Sequence, residues 1–198
     1  MEGANPRLSV VVPLRDEEAV FPMLADRLTS VLDSLECSWE VVLVDDGSRD
    51  GTYGLAVEQH TRDTRFKVLR LSRGFGHQIA LTAGLDAARG AAVVTMDGDL
   101  QHPPEVIPEL VARWDSGDEI VYGVMEERQG ENRFKDWTAR TFYRILSRLA
   151  DIDVPAAAGD FRLVDRRALD AFRAMRESNR YLRGMFSWVG FRQSGVPY

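Results

Sequence analysis

Val41-Val42-Leu43-Val44-Asp45-Asp46-Gly47-Ser48 is a run of four aliphatic residues closed by two acids, a glycine and a serine. An uninterrupted β-branched run of this length reads as a strand covered on both faces, because a strand with one wet face alternates apolar and polar residues. Such strands belong to parallel sheets. The same reading applies to Leu8 to Leu14, Lys67 to Leu71 and Ala91 to Met96, and more weakly to Ile120 to Tyr122. Helical stretches separate them. Glu17 to Leu35 carries Val20, Phe21, Leu24, Leu28, Val31 and Leu32 on one stripe. Gly76 to Ala88 is expected to end on a cap at Gly90, and Pro103 and Pro104 open the next helix, where a missing N–H is tolerated. Alternating strands and helices predict an α/β fold: a doubly wound, mostly parallel sheet with helices on both faces.

Such sheets bind ligands beyond the carboxyl ends of their strands. The polar residues following each apolar run are therefore the informative ones. One run ends in Asp45-Asp46-Gly47-Ser48, another in Asp97-Gly98-Asp99. Two acids one residue apart at a strand end can both reach a hard cation through oxygen. That cation would neutralise a nucleotide diphosphate and the charge growing on a leaving group. Asp and Gly are also common turn formers. The recurrence of the pattern at two strand ends of one sheet is what favours a site.

Composition narrows the partners. The 198 residues suit one domain, and the formal charge of −6 argues against nucleic acid, whose phosphates need a basic surface. The lone Cys37 cannot form an internal disulfide. No run of about 18 apolar residues is present, and the N-terminus lacks the cationic and apolar stretches of a secretory signal.

Several segments together are specific. They are Val11-Val12-Pro13-Leu14-Arg15-Asp16-Glu17-Glu18, Val44-Asp45-Asp46-Gly47-Ser48, Arg73-Gly74-Phe75-Gly76-His77, and Met96-Asp97-Gly98-Asp99-Leu100-Gln101-His102-Pro103-Pro104-Glu105. Gly159-Asp160-Phe161-Arg162-Leu163 and Arg183-Gly184 with Trp188-Val189-Gly190-Phe191 complete the set. Across nearly the whole chain, in order, this resembles the family 2 glycosyltransferases of GT-A (Rossmann-like) fold. The branch it resembles most holds dolichyl-phosphate mannose synthase and the bacterial polyprenyl-phosphate glycosyltransferases.

The resemblance implies one GT-A catalytic domain over residues 1–198. It implies nucleotide contacts from Pro13, Leu14, Arg15, Glu17, Asp45, Asp97 and Gly98, and a Mg2+ or Mn2+ site at Asp97, Asp99 and Gln101. Asp99 would be the direct ligand and, with Asp160, the catalytic pair. Two departures stand out: the family usually has an aromatic residue and Asn where this chain has Arg15 and Asp16, and often Asn in place of Gly74. His77, at an apparent helix start, reads as a capping or loop-orienting residue rather than a base, and His102 as a loop residue.

The implied reaction moves a sugar from a UDP- or GDP-linked donor to a polyprenyl phosphate, with inversion. A phosphate acceptor is largely dianionic at pH 7 and needs no base. Asp160 is therefore expected to position the acceptor or an arginine. Arg128, Arg162, Arg180 and Arg183 are candidates for phosphate contacts, because guanidinium forks match phosphate oxygens.

Phe134 to Leu149 reads as an amphipathic helix. Six basic residues against two acidic ones lie between Arg128 and Arg148. Trp137 beside the stripe Arg140, Arg144 and Arg148 suits an anionic membrane surface. The apolar cluster Tyr181, Leu182, Met185, Phe186 and Trp188 is a second C-terminal candidate for the same work. The expected location is the cytoplasmic face of the membrane. Similar proteins continue past the equivalent of Tyr198 into membrane segments, so a truncated or naturally short form is expected. A homo-oligomer is left open. So are a hydroxyl acceptor and an inactive nucleotide-sugar-binding module. A nucleotidyltransferase is disfavoured because Pro13-Leu14-Arg15-Asp16-Glu17-Glu18 lacks the Gly-rich basic loop that holds a triphosphate.

Overall fold

The computed structural model describes residues 5–125, 159–175, 177 and 181–198. In chain order the elements are β1 (Leu8–Leu14), α1 (Phe21–Ser34), β2 (Trp39–Asp45), α2 (Thr52–Arg62), β3 (Phe66–Arg70), α3 (His77–Ala87) and β4 (Ala92–Thr95). A 3-10 turn at Pro104–Val106 leads into α4 (Ile107–Asp115), followed by β5 (Ile120–Val124) and β6 (Arg162–Asp165). The next helix, α5, spans Arg166–Ala174; then come α6 (Leu182–Trp188) and β7 (Gln193–Pro197).

All seven strands form one sheet in the order β3-β2-β1-β4-β6-β5-β7. Only β6 runs against the rest, pairing antiparallel with both β4 and β5. The expected mostly parallel, doubly wound sheet is observed. The alternation of side chains along each strand divides the core in two. Val10, Val12, Leu14, Val41 and Leu43 face the layer built by α1, α2 and α4. Val11, Val42, Val44 and Val93 face the layer of α3, α5 and α6. Strands β1 and β2 are buried at every position, which is why they read as unbroken apolar runs. Each fully buried Val, Leu or Phe contributes roughly 1.5–3 kcal/mol relative to exposure.

Three expectations are corrected, and one strand is added. α1 begins at Phe21, not Glu17. Asp16 is left-handed (φ 55°), and the N–H groups of Asp16, Glu17 and Glu18 donate instead to Ser48 Oγ, Thr52 Oγ1 and Asp50 Oδ2. The loop after β1 is thereby zipped to the loop after β2. α3 ends without a glycine cap: Ala88 is extended, and the Gly90 N–H donates to Ser9 Oγ. A Cβ at Gly90 would lie 2.5 Å from Ser9 N and 2.6 Å from Ala92 O, so close passage of β1 explains that glycine. β7 was not legible, since Gln-Ser-Gly-Val-Pro is polar and broken by Gly and Pro; it is an edge strand, where proline is tolerated. The apolar cluster of α6 mostly faces inward. Leu182, Met185 and Phe186 are buried, Phe186 stacks on Phe172 at 4.5 Å, and only Tyr181 and Trp188 are exposed. The stretch Phe134 to Leu149, with Trp137, Arg140, Arg144 and Arg148, lies outside the described residues, as do Arg128 and Arg180. Among the described residues no helix is long and apolar enough to cross a membrane.

Candidate active site

The carboxyl ends of β1, β2 and β4 and the amino end of antiparallel β6 meet at one edge of the sheet. A cleft of about 290 Å3 opens there, lined by Pro13, Leu14, Arg15, Glu17, Asp46, Gly76, His77, Ala80, Asp97, Gly98 and Asp99. Pro13, Leu14, Arg15, Glu17, Asp97, Gly98 and Asp99, all singled out above, come together in it. Asp45, Gln101, Asp160, Arg162 and Arg183 do not line it.

Asp45 is fully buried. Its Oδ1 accepts from Ser48 N at 3.1 Å, and Oδ2 has no hydrogen bond, although Arg70 Nε lies 3.4 Å away. Gly47 (φ 71°) turns the chain here, and a Cβ on it would sit 2.6 Å from the Arg73 carbonyl carbon and Gly74 N. Only glycine lets the loops after β2 and β3 pass this close. Asp46 carries the loop after β3. Its Oδ1 accepts from Phe75 N at 2.7 Å, and its Oδ2 accepts from Gly76 N at 3.0 Å and Arg15 Nη1 at 3.2 Å. The role of Asp46 was not assigned from sequence. The strand's two-residue alternation gave the available signal, because it turns neighbouring acids to different sides.

Asp97 is held from both sides. His77 Nε2 lies 2.6 Å from Asp97 Oδ1, and the Asp97 N–H donates to His102 Nδ1 at 3.0 Å. Accepting that N–H makes His102 neutral with its proton on Nε2, and burial pushes its pKa down as well. His102 stacks on Phe161 at 5.1 Å. The hydrogen bond to Asp97 raises the His77 pKa against the opposing effect of burial. Burial is the largest single influence on Asp97 and disfavours its ionised form, but the His77 hydrogen bond and the nearby histidine and Arg183 charges together outweigh it, and the carboxyl stays below its usual range. His77 therefore does more than begin a helix: it is the polar partner of a cleft carboxylate.

Asp99 is exposed at the turn, its Oδ1 accepting from Gln101 N at 3.0 Å. Gln101 thus enters through its backbone. Leu100 between them is left-handed (φ 63°), a strained conformation for a bulky residue. Glu17 records the charge of the cleft. Burial first, then the charges of Asp99, Asp50, Asp16 and Asp97, raise its pKa.

At the amino end of β6, Asp160 is gripped by Arg183. Nε donates to Oδ1 at 3.0 Å and Nη2 to Oδ2 at 3.2 Å. Asp160 Oδ2 also lies 4.0 Å from His77 Nδ1, so the pair borders the cleft. Arg162 is turned inward. It donates to Gly159 O at 2.6 Å, packs 5.0 Å from the Phe186 ring, and burial lowers its pKa to about 10. It is not presented to the cleft.

Among the described residues no three His, Cys, Asp or Glu side chains are grouped so as to hold a metal ion between them. An open site fits better. Four carboxylates line the cleft against Arg15 and His77. A diphosphate can enter such a place only with compensating positive charge. Asp99, with Asp97 beside it, offers the hard oxygen ligands that Mg2+ or Mn2+ takes.

A family model described as glycosyl transferase family 2 matches residues 9–173. The chain is 46% identical over 190 residues to "Uncharacterized glycosyltransferase YkcC" of Bacillus subtilis (strain 168), covering 96% of this chain and 59% of that protein. It is 33% identical over 192 residues to "Prophage bactoprenol glucosyl transferase homolog" of Escherichia coli (strain K12), covering 97% of this chain and 63% of the relative. The chain therefore spans about three fifths of the length of these curated relatives. Among solved structures, mannosyltransferase PcManGT from Pyrobaculum calidifontis in complex with GDP-Man and Mn2+ superposes with a TM-score of 0.62 at 20% identity, over 98% of this chain and 55% of that one. Glucosyl-3-phosphoglycerate synthase from Mycobacterium tuberculosis, in complex with Mn2+, UDP and glucosyl-3-phosphoglycerate, superposes with a TM-score of 0.69 at 19% identity, over 97% and 70%. At these identities the two structures speak to the fold.

Proposed function

This chain belongs to glycosyl transferase family 2, and from that premise we propose that it moves a sugar from a nucleoside diphosphate donor to a polyprenyl phosphate. The observation that carries the reading is the acid-lined cleft at the strand tips with the Asp160–Arg183 ion pair on its border. The relative named a bactoprenol glucosyl transferase homolog supports the lipid phosphate acceptor. The neighbours holding UDP or GDP-Man with Mn2+ support the donor class and the metal. We take residues 1–198 as the catalytic unit, working against the cytoplasmic face of a membrane.

The donor's nucleoside lies against Pro13, Leu14, Glu17 and Gly98. Asp45, fully buried and absent from the cleft lining, is given no direct contact with the donor. Asp99, with Asp97, would carry Mg2+ or Mn2+, which when bound neutralises the diphosphate. His77 holds the Asp97 carboxylate, and His102 holds the Asp97 backbone through its N–H. Arg183, aimed by both oxygens of Asp160, meets the acceptor phosphate. An acceptor oxygen forms the new bond at the anomeric carbon while the bond to the donor diphosphate breaks. The leaving nucleoside diphosphate keeps the electron pair, and no proton is removed. Because Arg183 occupies both Asp160 oxygens, that residue suits holding an arginine better than deprotonating a hydroxyl acceptor.

The test supplies the protein with radiolabelled UDP- and GDP-linked sugars, a polyprenyl phosphate and manganese. Label is expected in the lipid fraction with one of these donors, its anomeric configuration inverted by NMR. Transfer only to hydroxyl acceptors, retention of configuration, or no transfer from any donor contradicts the reading.

A further inference from the structure

Arg15, on the loop after β1, and Gly74, on the loop after β3, touch each other. A Cβ on Gly74 would lie within 2.9 Å of Arg15 Cζ and Nη2 and closer still to Nη1, so the guanidinium rests on the Gly74 backbone. Asp46, itself buried, holds Nη1 at 3.2 Å. Half of the Arg15 side chain is exposed, and Nε and Nη2 have no hydrogen-bond partner among the described residues. Among the described residues, Arg15 is also the only Arg or Lys in the lining of the cleft, where Glu17, Asp46, Asp97 and Asp99 supply negative charge.

A guanidinium anchored at one nitrogen, with its others free at the mouth of an acid-lined cleft, is a preorganised donor for phosphate oxygens. We propose that Arg15 grips the phosphate groups of the nucleoside diphosphate, and that position 74 is glycine so that Arg15 can reach them. The inference rests on the donor reading above and assigns the two residues as one unit within it. Gly74 does not have a left-handed backbone, so alanine fits the chain there. The atoms nearest to its Cβ all belong to the far end of a flexible side chain. Gly74→Ala should therefore displace Arg15 without unfolding the loop.

Calorimetric titration of UDP and of GDP in manganese, on wild type, R15A, G74A and the double variant, tests the pair. Thermal melting of each variant accompanies it. Removing a charge-assisted hydrogen bond corresponds to about tenfold or more in affinity. R15A and G74A should each weaken the bound nucleoside diphosphate by about that factor, with the G74A melting temperature unchanged. The double variant should be no weaker than R15A alone, because the Cβ then has nothing to displace. Wild-type binding of R15A overturns the proposal, as does a G74A effect that adds to that of R15A. If wild type itself binds neither UDP nor GDP, the donor reading falls first, an outcome distinct from either.

Discussion

Asp99→Asn should lower kcat/KM for sugar transfer by at least about a hundredfold, near 3 kcal/mol of transition-state stabilisation, while leaving the melting temperature almost unmoved. Asparagine keeps an oxygen for the Gln101 N–H, which Asp99 Oδ1 now accepts at 3.0 Å, so the turn survives. What disappears is the negative charge at an exposed position in the cleft, where a cation would be carried. The loss should show as weaker manganese dependence as well as slower turnover. Initial-rate kinetics across a manganese series, with melting of the same preparation, separates the two effects. Activity within about threefold of wild type would remove Asp99 from the machinery.

The largest effect on stability is expected at Asp46. Asp46→Ala deletes the acceptor for three donors: Phe75 N at 2.7 Å, Gly76 N at 3.0 Å and Arg15 Nη1 at 3.2 Å. The Asp46 side chain is 4% exposed, so water cannot readily replace it for the two backbone groups. Each stranded donor costs about 1–3 kcal/mol, which places the total near 3 kcal/mol. For a chain of this size that is a drop of roughly 10 °C in melting temperature. Chemical denaturation should show a lower midpoint at unchanged slope. A loss under about 1 kcal/mol would mean that Asp46 does not organise the loop after β3. Asp45→Ala removes a buried carboxylate with one hydrogen bond, from Ser48 N, and should be milder.

The contrast between these neighbouring acids marks how far the sequence could be read. Strands β1, β2 and β4 were legible because burial on both faces leaves no polar interruptions, and the polar residues after each run fell at one edge of the sheet. Composition could not say which of Asp45 and Asp46 faces the cleft, since that depends on how the β3–α3 loop folds back over the strand end. The start of α1 was misplaced for a related reason. Val20 fits the apolar stripe, but hydrogen bonds donated by the Asp16, Glu17 and Glu18 N–H groups to Ser48, Thr52 and Asp50, some 32 to 35 positions away, hold the loop out of the helix.

The site shows the same division. Asp97, Gly98 and Asp99 were found as a motif and sit in the cleft. The His77 contact with Asp97 joins residues 20 positions apart and needed the fold. Arg162 and Arg183 looked alike in sequence, but the structure separates them. One is buried against Phe186, and the other pairs with Asp160 at the border of the cleft. Arg15 and Gly74 stood out separately as departures, and only their contact makes them one feature.

The account rests on a nucleoside diphosphate occupying the cleft between the tips of β1, β2 and β4. A crystal structure of the chain grown with manganese and whichever of UDP or GDP it binds tests this directly. The predicted density places the diphosphate between Asp99 and Arg15, with the nucleoside towards Pro13 and Glu17. Nucleotide bound elsewhere, for instance among Arg89, Arg166 and Arg173 in the separate pocket beside α3 and α5, with the cleft empty, would contradict it.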